Sequence, residues 1–463
     1  MNYIKSVLYI LKYITLYDKN GGKFMNKFIK KLCAVGLISI IVGSMVACGN
    51  LNTVKKAKKT SDGKVEIEYW YGLGGKLDKN MQKIITDFNG SQDKYEVKGV
   101  AQEDYKTTFK NLQAGIAAKK SPAIALLEAD KVNMLAKKEL LTNISDYTSK
   151  DSDFKEGNYL ESFLESGKKG DKLYAFPIYG TTQLLYYNKQ AFKDAGITED
   201  SLKTWTGIAE ASKKLTKKSG DQVTFYGWEP MWGDDNLVDA ALCNGGKILS
   251  DDGKQVLINS EEWVEAWDSF RKWIHEDKTM RIHSGGQGWE YWYATVDDAM
   301  KDKAAGYTGS SGDQGDLDFN KLAAFEQPAF KQGKASKPIA EARLLAIPKD
   351  VSDEEKQGAY EFIKYFTSAK VSAEWSIASG YISVNKGSAS IPEFEEHIKK
   401  NPQAAVPAIQ AAHATKMFID PTDGKIADAL KIAADKVEIE NVSAKQALDE
   451  AQKIAQEALD KIK

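Results

Sequence analysis

Between residues 65 and 130 the chain alternates two hydrophobic periods, and this restricts its fold more than any other feature. Val65, Ile67, Tyr69 and Tyr71 recur at every second residue, the spacing of a strand with one face against a core. Leu77, Met81, Ile84, Ile85 and Phe88 then recur at helical spacing, and Asn89–Gly90 offers a stop. Tyr95–Val100 returns to strand, and Phe109, Leu112 and Ile116 mark one face of a helix over 105–118. Pro122–Leu127 is a short continuous apolar run, the pattern of a strand buried on both faces. Strands and helices in this succession predict an α/β layer with a mainly parallel sheet.

The remainder continues in the same style. Lys172–Pro177 and Leu184–Asn188 read as two strands, the second followed by a helix near Lys189. Ser260–Glu276 is a helix with Trp263, Trp267, Phe270 and Ile274 on one stripe, so Trp263, Trp267 and the nearby Trp273 are read as core. Ala304–Gly309 and Leu344–Pro348 read as strands, Ser352–Ser368 as a helix, and Ser443–Ile462 as a helix opened by the capping-box form Ser443-x-x-Gln446. A chain of 463 residues with 42% apolar side chains suits two or three packed domains and excludes disorder.

Composition excludes other classes. Basic and acidic side chains number 64 and 65, so no global basic field exists for nucleic acid. The three cysteines fit no zinc spacing, and His275, His283, His397 and His413 form no H-E-x-x-H pair; no metal and no cofactor are expected. Neither G-x-S-x-G nor G-x-x-x-x-G-K-[ST] occurs, and Gly72-Leu73-Gly74-Gly75 after the first strand is not G-x-G-x-x-G. These glycines let backbone approach a solute or simply turn the chain. An enzyme is not expected.

The N-terminus reads as an address. Lys27, Lys30 and Lys31 precede an apolar run from Leu32 to Val46, too short to span a bilayer and right for a signal peptide. Translation is expected to start at Met25, with 1–47 the signal region. Val46-Ala47-Cys48-Gly49 resembles a bacterial lipobox, which implies cleavage before Cys48 and a lipid on its thiol; the other reading is an ordinary signal peptide with a chance cysteine. Residues 48–64 are polar and lysine-rich, a solvated tether. Residues 1–47 hold seven Lys and one acid, so what remains is acidic, and Cys243 is left without an intrachain disulfide partner.

Residues 68–100 (EYWYGLGGKLDKNMQKIITDFNGSQDKYEVKGV) resemble the opening of the family 1 extracellular solute-binding proteins of ABC importers. Further blocks resemble that family in the same order: 112–130, 171–197, 342–369 and 372–386, the last with Gly380-Tyr381 in its turn. The resemblance implies a two-lobed periplasmic-binding-protein-like fold (type II), hinged about an interlobe cleft. One lobe would hold 65–180 with 338–370, the other 181–337 with 371–463. It also implies a membrane-anchored, extracellular monomer on a bacterial cell that delivers solute to ABC permease subunits.

Two solute classes fit the resemblance. In phosphate-binding relatives a tyrosine at the second helix start, a glutamate after the next strand and a late tyrosine touch ligand; the matching positions are Tyr105, Glu128 and Tyr381, with the serine turn at Ser310 and Ser311. Thr181, in the crossover block, joins them. Those relatives carry Arg in a glycine-rich stretch where this chain has FIDPTDGKIADAL (418–430), with Asp420 and Asp423, an acidic loop expected to repel a phosphate. The aromatic residues favour a carbohydrate, an oligosaccharide: Trp70 ends the first strand, Trp228 and Trp232 bracket GWEPMW, and Trp289 opens a Trp/Tyr cluster. Trp228 and Trp232 are read as cleft residues, and Trp289 as cleft or core. Glu128 and Asp130 suit sugar hydroxyls, or Asp130 caps a helix. Arg343 bonds sugar oxygens or an anion, or makes a surface ion pair. Glycerol 3-phosphate or its diesters remain the alternative solute. A surface glycosidase or polysaccharide-binding adhesin is the rival class.

Overall fold

The computed structural model describes residues 56–415 and 417–462. The signal region, Met25 and Cys48 lie outside them. Among the described residues no helix is long and apolar enough to cross a membrane.

The first lobe is built as the periodicities require. Strands β1 (Val65–Tyr71), β2 (Tyr95–Ala101) and β3 (Ile124–Glu128) are parallel, with β1 between the other two. The helix Gly75–Ser91 buries Met81, Ile84, Ile85 and Phe88, and the helix Tyr105–Ala117 is capped by Asp104, whose carboxylate accepts the Thr107 amide. A short hairpin, β4 (Lys168–Lys169) with β5 (Lys172–Leu173), leads into β6 (Ala175–Asn188).

β6 is one long strand where the sequence suggested two, and it carries the chain from one lobe to the other. Its first half pairs antiparallel with β12 (Ala340–Ala346), which pairs on its far side with β3. Its second half pairs antiparallel with β10 (Gly306–Ser310) and β11 (Leu322–Phe325). Between them lie a hairpin, β7 (Lys217–Ser219) with β8 (Gln222–Phe225), and β9 (Glu229–Pro230), parallel to β10. The sheet is therefore parallel at its first edge and antiparallel in the middle, not mainly parallel, because β6 and β12 are crossover strands running opposite ways.

Separate cores mark the lobes. One packs Ile67, Tyr69, Met81, Phe88, Tyr179 and Phe362; the other packs Trp205, Trp228, Trp263, Trp267, Phe270 and the two C-terminal helices Lys425–Glu438 and Ala444–Asp460. Trp263, Trp267 and Trp273 are core, as their stripe predicts. The segment after 370 does not pack wholly with the second lobe: Val371, Trp375 and Tyr381 are buried in the first core, and Ile382 and Val384 join its other face. Residues 57–64 are anchored to the first lobe at a few points, while most of their side chains stay exposed. Ala57 packs on the first core, Lys59 bridges to Val65, and Lys58 pairs with Glu66. The cause is Glu66, only 5% exposed, which Lys58 and Lys98 neutralise from two sides. Cys243 is free and buried, and burial pushes its thiol up to about 12, a packing cysteine rather than a reactive one.

Candidate ligand cleft

The carboxyl end of β3 is where an open α/β sheet presents side chains to a ligand, and there the candidates converge. Glu128 ends β3 directly opposite Arg343 on β12. Arg343 bonds Glu341 Oε2 at 2.5 Å, lies 3.7 Å from Glu128 Oε1, and holds its guanidinium 4.9 Å over the Tyr105 ring. Its Nε is buried without a partner. Arg343 is thus no surface pair; it is a cation set between two carboxylates and an aromatic face. Burial raises the Glu128 carboxyl above its usual range, and Arg343 opposes that rise.

The tyrosines extend this wall. Tyr105 sits on the first turn of its helix, and its hydroxyl lies 3.0 Å from that of Tyr179, which stacks on Tyr381 with ring centroids 4.4 Å apart. At the midpoint of β6, Thr181 Oγ1 lies 3.0 Å from Ser310 Oγ at the end of β10, so the two lobes meet at hydroxyls. Asp313 follows in the same turn; it accepts the Trp292 indole N–H at 2.7 Å, and burial pushes its carboxyl up to about 7. Tyr105, Glu128, Thr181, Ser310, Arg343 and Tyr381 therefore share one neighbourhood, and Trp289 joins it with its ring 5.6 Å from Tyr105, edge to face.

The remaining candidates have partners of their own. Trp228 is 0% exposed, deep in the second core, with its indole N–H donating to Thr308 Oγ1 at 3.1 Å; no ring face is left for a solute. Gly227, just before it, lets the backbone press on Ser212, where a Cβ would come within 2.4 Å of Ser212 Cα. Trp232 is half-buried, edge to face with Tyr291 at 4.9 Å and bonded to Asp435 at 2.9 Å. Trp70 donates to Glu68 on its own strand at 2.6 Å. Asp130 is not an N-cap: the helix Ala129–Lys137 begins one residue before it, and its carboxylate bonds Lys131.

The sequence sets Asp234 and Asp235 beside the aromatic segment GWEPMW, as acids suited to sugar hydroxyls, and gives no sign of the lysine that faces them. Asp234 and Asp235 open the helix Asp234–Cys243; Asp235 keeps an exposed face, yet the protein crowded around both carboxyls raises them, and the pressure of Asp234 helps push Asp235 up to about 6. Lys431, exposed on the helix Lys425–Glu438, lies within electrostatic reach of acids from both lobes. The protein crowded around it lowers its ammonium pKa, but Asp234, Glu128, Asp235 and Asp130 together hold it above its ordinary value. The acidic loop expected to face a phosphate does something local. Asp420 is buried and accepts the Thr422, Ile426 and Ala427 amides, capping that same helix, while Asp423 lies 3.3 Å from Lys137. The signal was present, since Lys431 lies two turns into a helix opened by that loop. A surface depression of about 1010 Å³, lined by residues such as Tyr147, Lys172 and Lys364, shares none of these groups.

A model of the bacterial extracellular solute-binding protein family matches residues 83–406. The sn-glycerol-3-phosphate-binding periplasmic protein UgpB of Brucella melitensis is 26% identical over 361 residues, covering 74% of this chain and 80% of that protein. The protein of that name from Yersinia pestis is 25% identical over 359 residues, covering 74% and 79%. Among solved structures, UgpB from Mycobacterium tuberculosis in complex with glycerophosphocholine superposes with a TM-score of 0.75 at 19% identity, covering 86% of this chain and 100% of that one. The substrate-binding protein Lmo0181 from Listeria monocytogenes, in complex with cycloalternan, gives 0.74 at 19%, covering 85% and 98%. At these identities the superpositions establish the two-lobed fold.

Proposed function

The chain belongs to the bacterial extracellular solute-binding protein family, and from that premise we propose that it captures a carbohydrate, an oligosaccharide, between its lobes for an ABC permease. It works as a binding protein without catalysis: solute enters the cleft, the lobes close, and the closed form docks on the transmembrane subunits. We assign one lobe to about 57–180 with 340–384 and the other to about 183–339 with 417–462. We also keep the reading of Cys48 as a lipid anchor on the extracellular face of the cell membrane, and of the protein as a monomer.

The observation that carries the carbohydrate reading is the charge of the cleft. Glu128 and Asp130 from one lobe and Asp234 and Asp235 from the other all act on Lys431, and the cations beside them are Arg343 at Glu128 and Lys131 at Asp130. Carboxylates accept hydrogen bonds from sugar hydroxyls and repel a phosphate dianion. Half-buried Trp232 and Tyr291 offer ring edges and faces for pyranose C–H groups. Calorimetric titration with neutral oligosaccharides and with sn-glycerol 3-phosphate tests this. Heat with the oligosaccharides alone is the expected result, and heat with the phosphate alone removes the reading.

The glycerol phosphate reading has its own support. Tyr105, Thr181, Ser310, Arg343 and Tyr381 gather in one place, a hydroxyl-rich pocket with a buried guanidinium, and the relatives named above are glycerol-3-phosphate-binding proteins. Under both readings Arg343→Met weakens solute binding by roughly 10- to 100-fold, the worth of one or two hydrogen bonds to a charged group. It also leaves Glu128 and Glu341 without their cation, so titration at two pH values shows a steeper loss at the higher one.

A further inference from the structure

The glycine-rich turn after β1 finds its use against the second lobe rather than on a phosphate. Gly72 accepts the Trp289 indole N–H at its carbonyl oxygen, 3.2 Å away. Gly74 and Gly75 lie under Tyr293: a Cβ on Gly75 would stand 2.6 Å from the Tyr293 hydroxyl, and on Gly74 it would stand 3.2 Å from that hydroxyl and 3.3 Å from Trp289 Cδ1. Gly75 also has φ +56°, so only glycine holds this shape without strain. One residue on, Lys76 donates to the Gly315 carbonyl at 3.0 Å and pairs with Asp316 at 3.0 Å. Gly288, at φ +55°, completes the seat, where a Cβ would crowd Glu103 at 3.1 Å. Trp289 and Tyr293 belong to the helix Glu290–Met300 and the residue before it, whose inner face packs in the second lobe through Val296 and Ala299. Trp289 nonetheless packs on the first core.

We infer that this turn and the Trp289–Tyr293 face form a latch between the lobes, which stabilises the closed form through protein groups alone. Trp289 is then a positioning residue: it touches the first lobe's backbone and the Tyr105 edge, and sets affinity by how firmly the lobes close. The inference rests on the solute-capture reading for its purpose but not for its test. A latch between protein groups is readable with no solute present, because shifting the open–closed balance changes both compactness and apparent affinity.

The test is a charge swap on a pair open to solvent at Lys76 and half-buried at Asp316, whose members cost little in folding. Small-angle scattering is measured on unliganded wild type, K76E, D316K and the K76E/D316K double variant, with W289F as a second probe and circular dichroism as the check on folding. The expected result is a larger radius of gyration for K76E, D316K and W289F, and recovery in the double variant. Where a neutral oligosaccharide or glycerol 3-phosphate binds, its affinity falls about three- to tenfold in the single variants and recovers in the double. Scattering curves of the single variants that superpose on wild type, or a double variant as open as the singles, overturn the latch. Failure of both solutes to bind overturns the proposed solute and leaves the scattering result to decide the latch by itself.

Discussion

Trp228→Ala lowers the free energy of unfolding by about 3–5 kcal/mol, the cost of deleting a large buried side chain into a core that closes only partly. Its indole is 0% exposed and packs with Trp205, Leu237 and Met280. β10 is shaped to receive it, since a Cβ on Gly306 would stand 2.3 Å from the ring. The substitution also removes the donor to Thr308. Trp232→Ala behaves differently. Half-buried, with one edge on Tyr291 and its N–H on Asp435, it contributes about 1–2 kcal/mol to folding and is the tryptophan of this pair whose loss weakens solute binding. Urea unfolding and calorimetric titration of both variants separate the roles. Unchanged stability with lost binding in Trp228→Ala would return that residue to the cleft.

Those two tryptophans show what local sequence can and cannot carry. The periodicities of 65–127 report which face of each element meets a core, a property each segment holds by itself, so those strands and helices were legible. The aromatic stripe of the helix Glu261–His275 was legible for the same reason. GWEPMW has no period. Gly227 is demanded by a close backbone approach, and in sequence such a glycine is indistinguishable from one demanded by a turn. β6 was read as two strands because Gly180 and the polar Thr181–Gln183 interrupt its apolar runs; only pairing with β12 on one half and β10 on the other explains its continuity. At the site, residues matching a family pattern fell together, Tyr105 with Glu128, Ser310 and Tyr381. Lys431 did not announce itself, since its meaning is its nearness to Asp234 and Asp235, acids legible beside the tryptophans but some 200 residues away along the chain.

The second large effect is on the dependence of stability on pH, and it runs through Asp239, one turn behind Asp235 on the same helix. Asp239 is 4% exposed. Burial raises its carboxyl to about 8, against the pull of the Gln327 amide and with help from Asp235. Its ordinary value is 3.8, so between about 4 and 8 the unfolded chain is ionised there while the folded chain keeps its proton. Folding therefore takes up a proton in that window, and the contribution of Asp239 to stability falls by about 1.4 kcal/mol per pH unit as pH rises. Below the window the contribution is neutral, and above it the full penalty is present. Asp239→Asn removes the titration and keeps the shape. Its amide still accepts from Gln327 Nε2 and can donate to Gln327 Oε1, which has no partner in the native protein. The variant is expected to match wild type near pH 4, to exceed it by several kcal/mol at pH 8, and to show a slope shallower by about one proton when urea midpoints are followed across that range. Parallel slopes would mean that Asp239 is ionised in the folded protein. The acid set behind the cleft would then be more negative still, and repulsion of a phosphate correspondingly stronger.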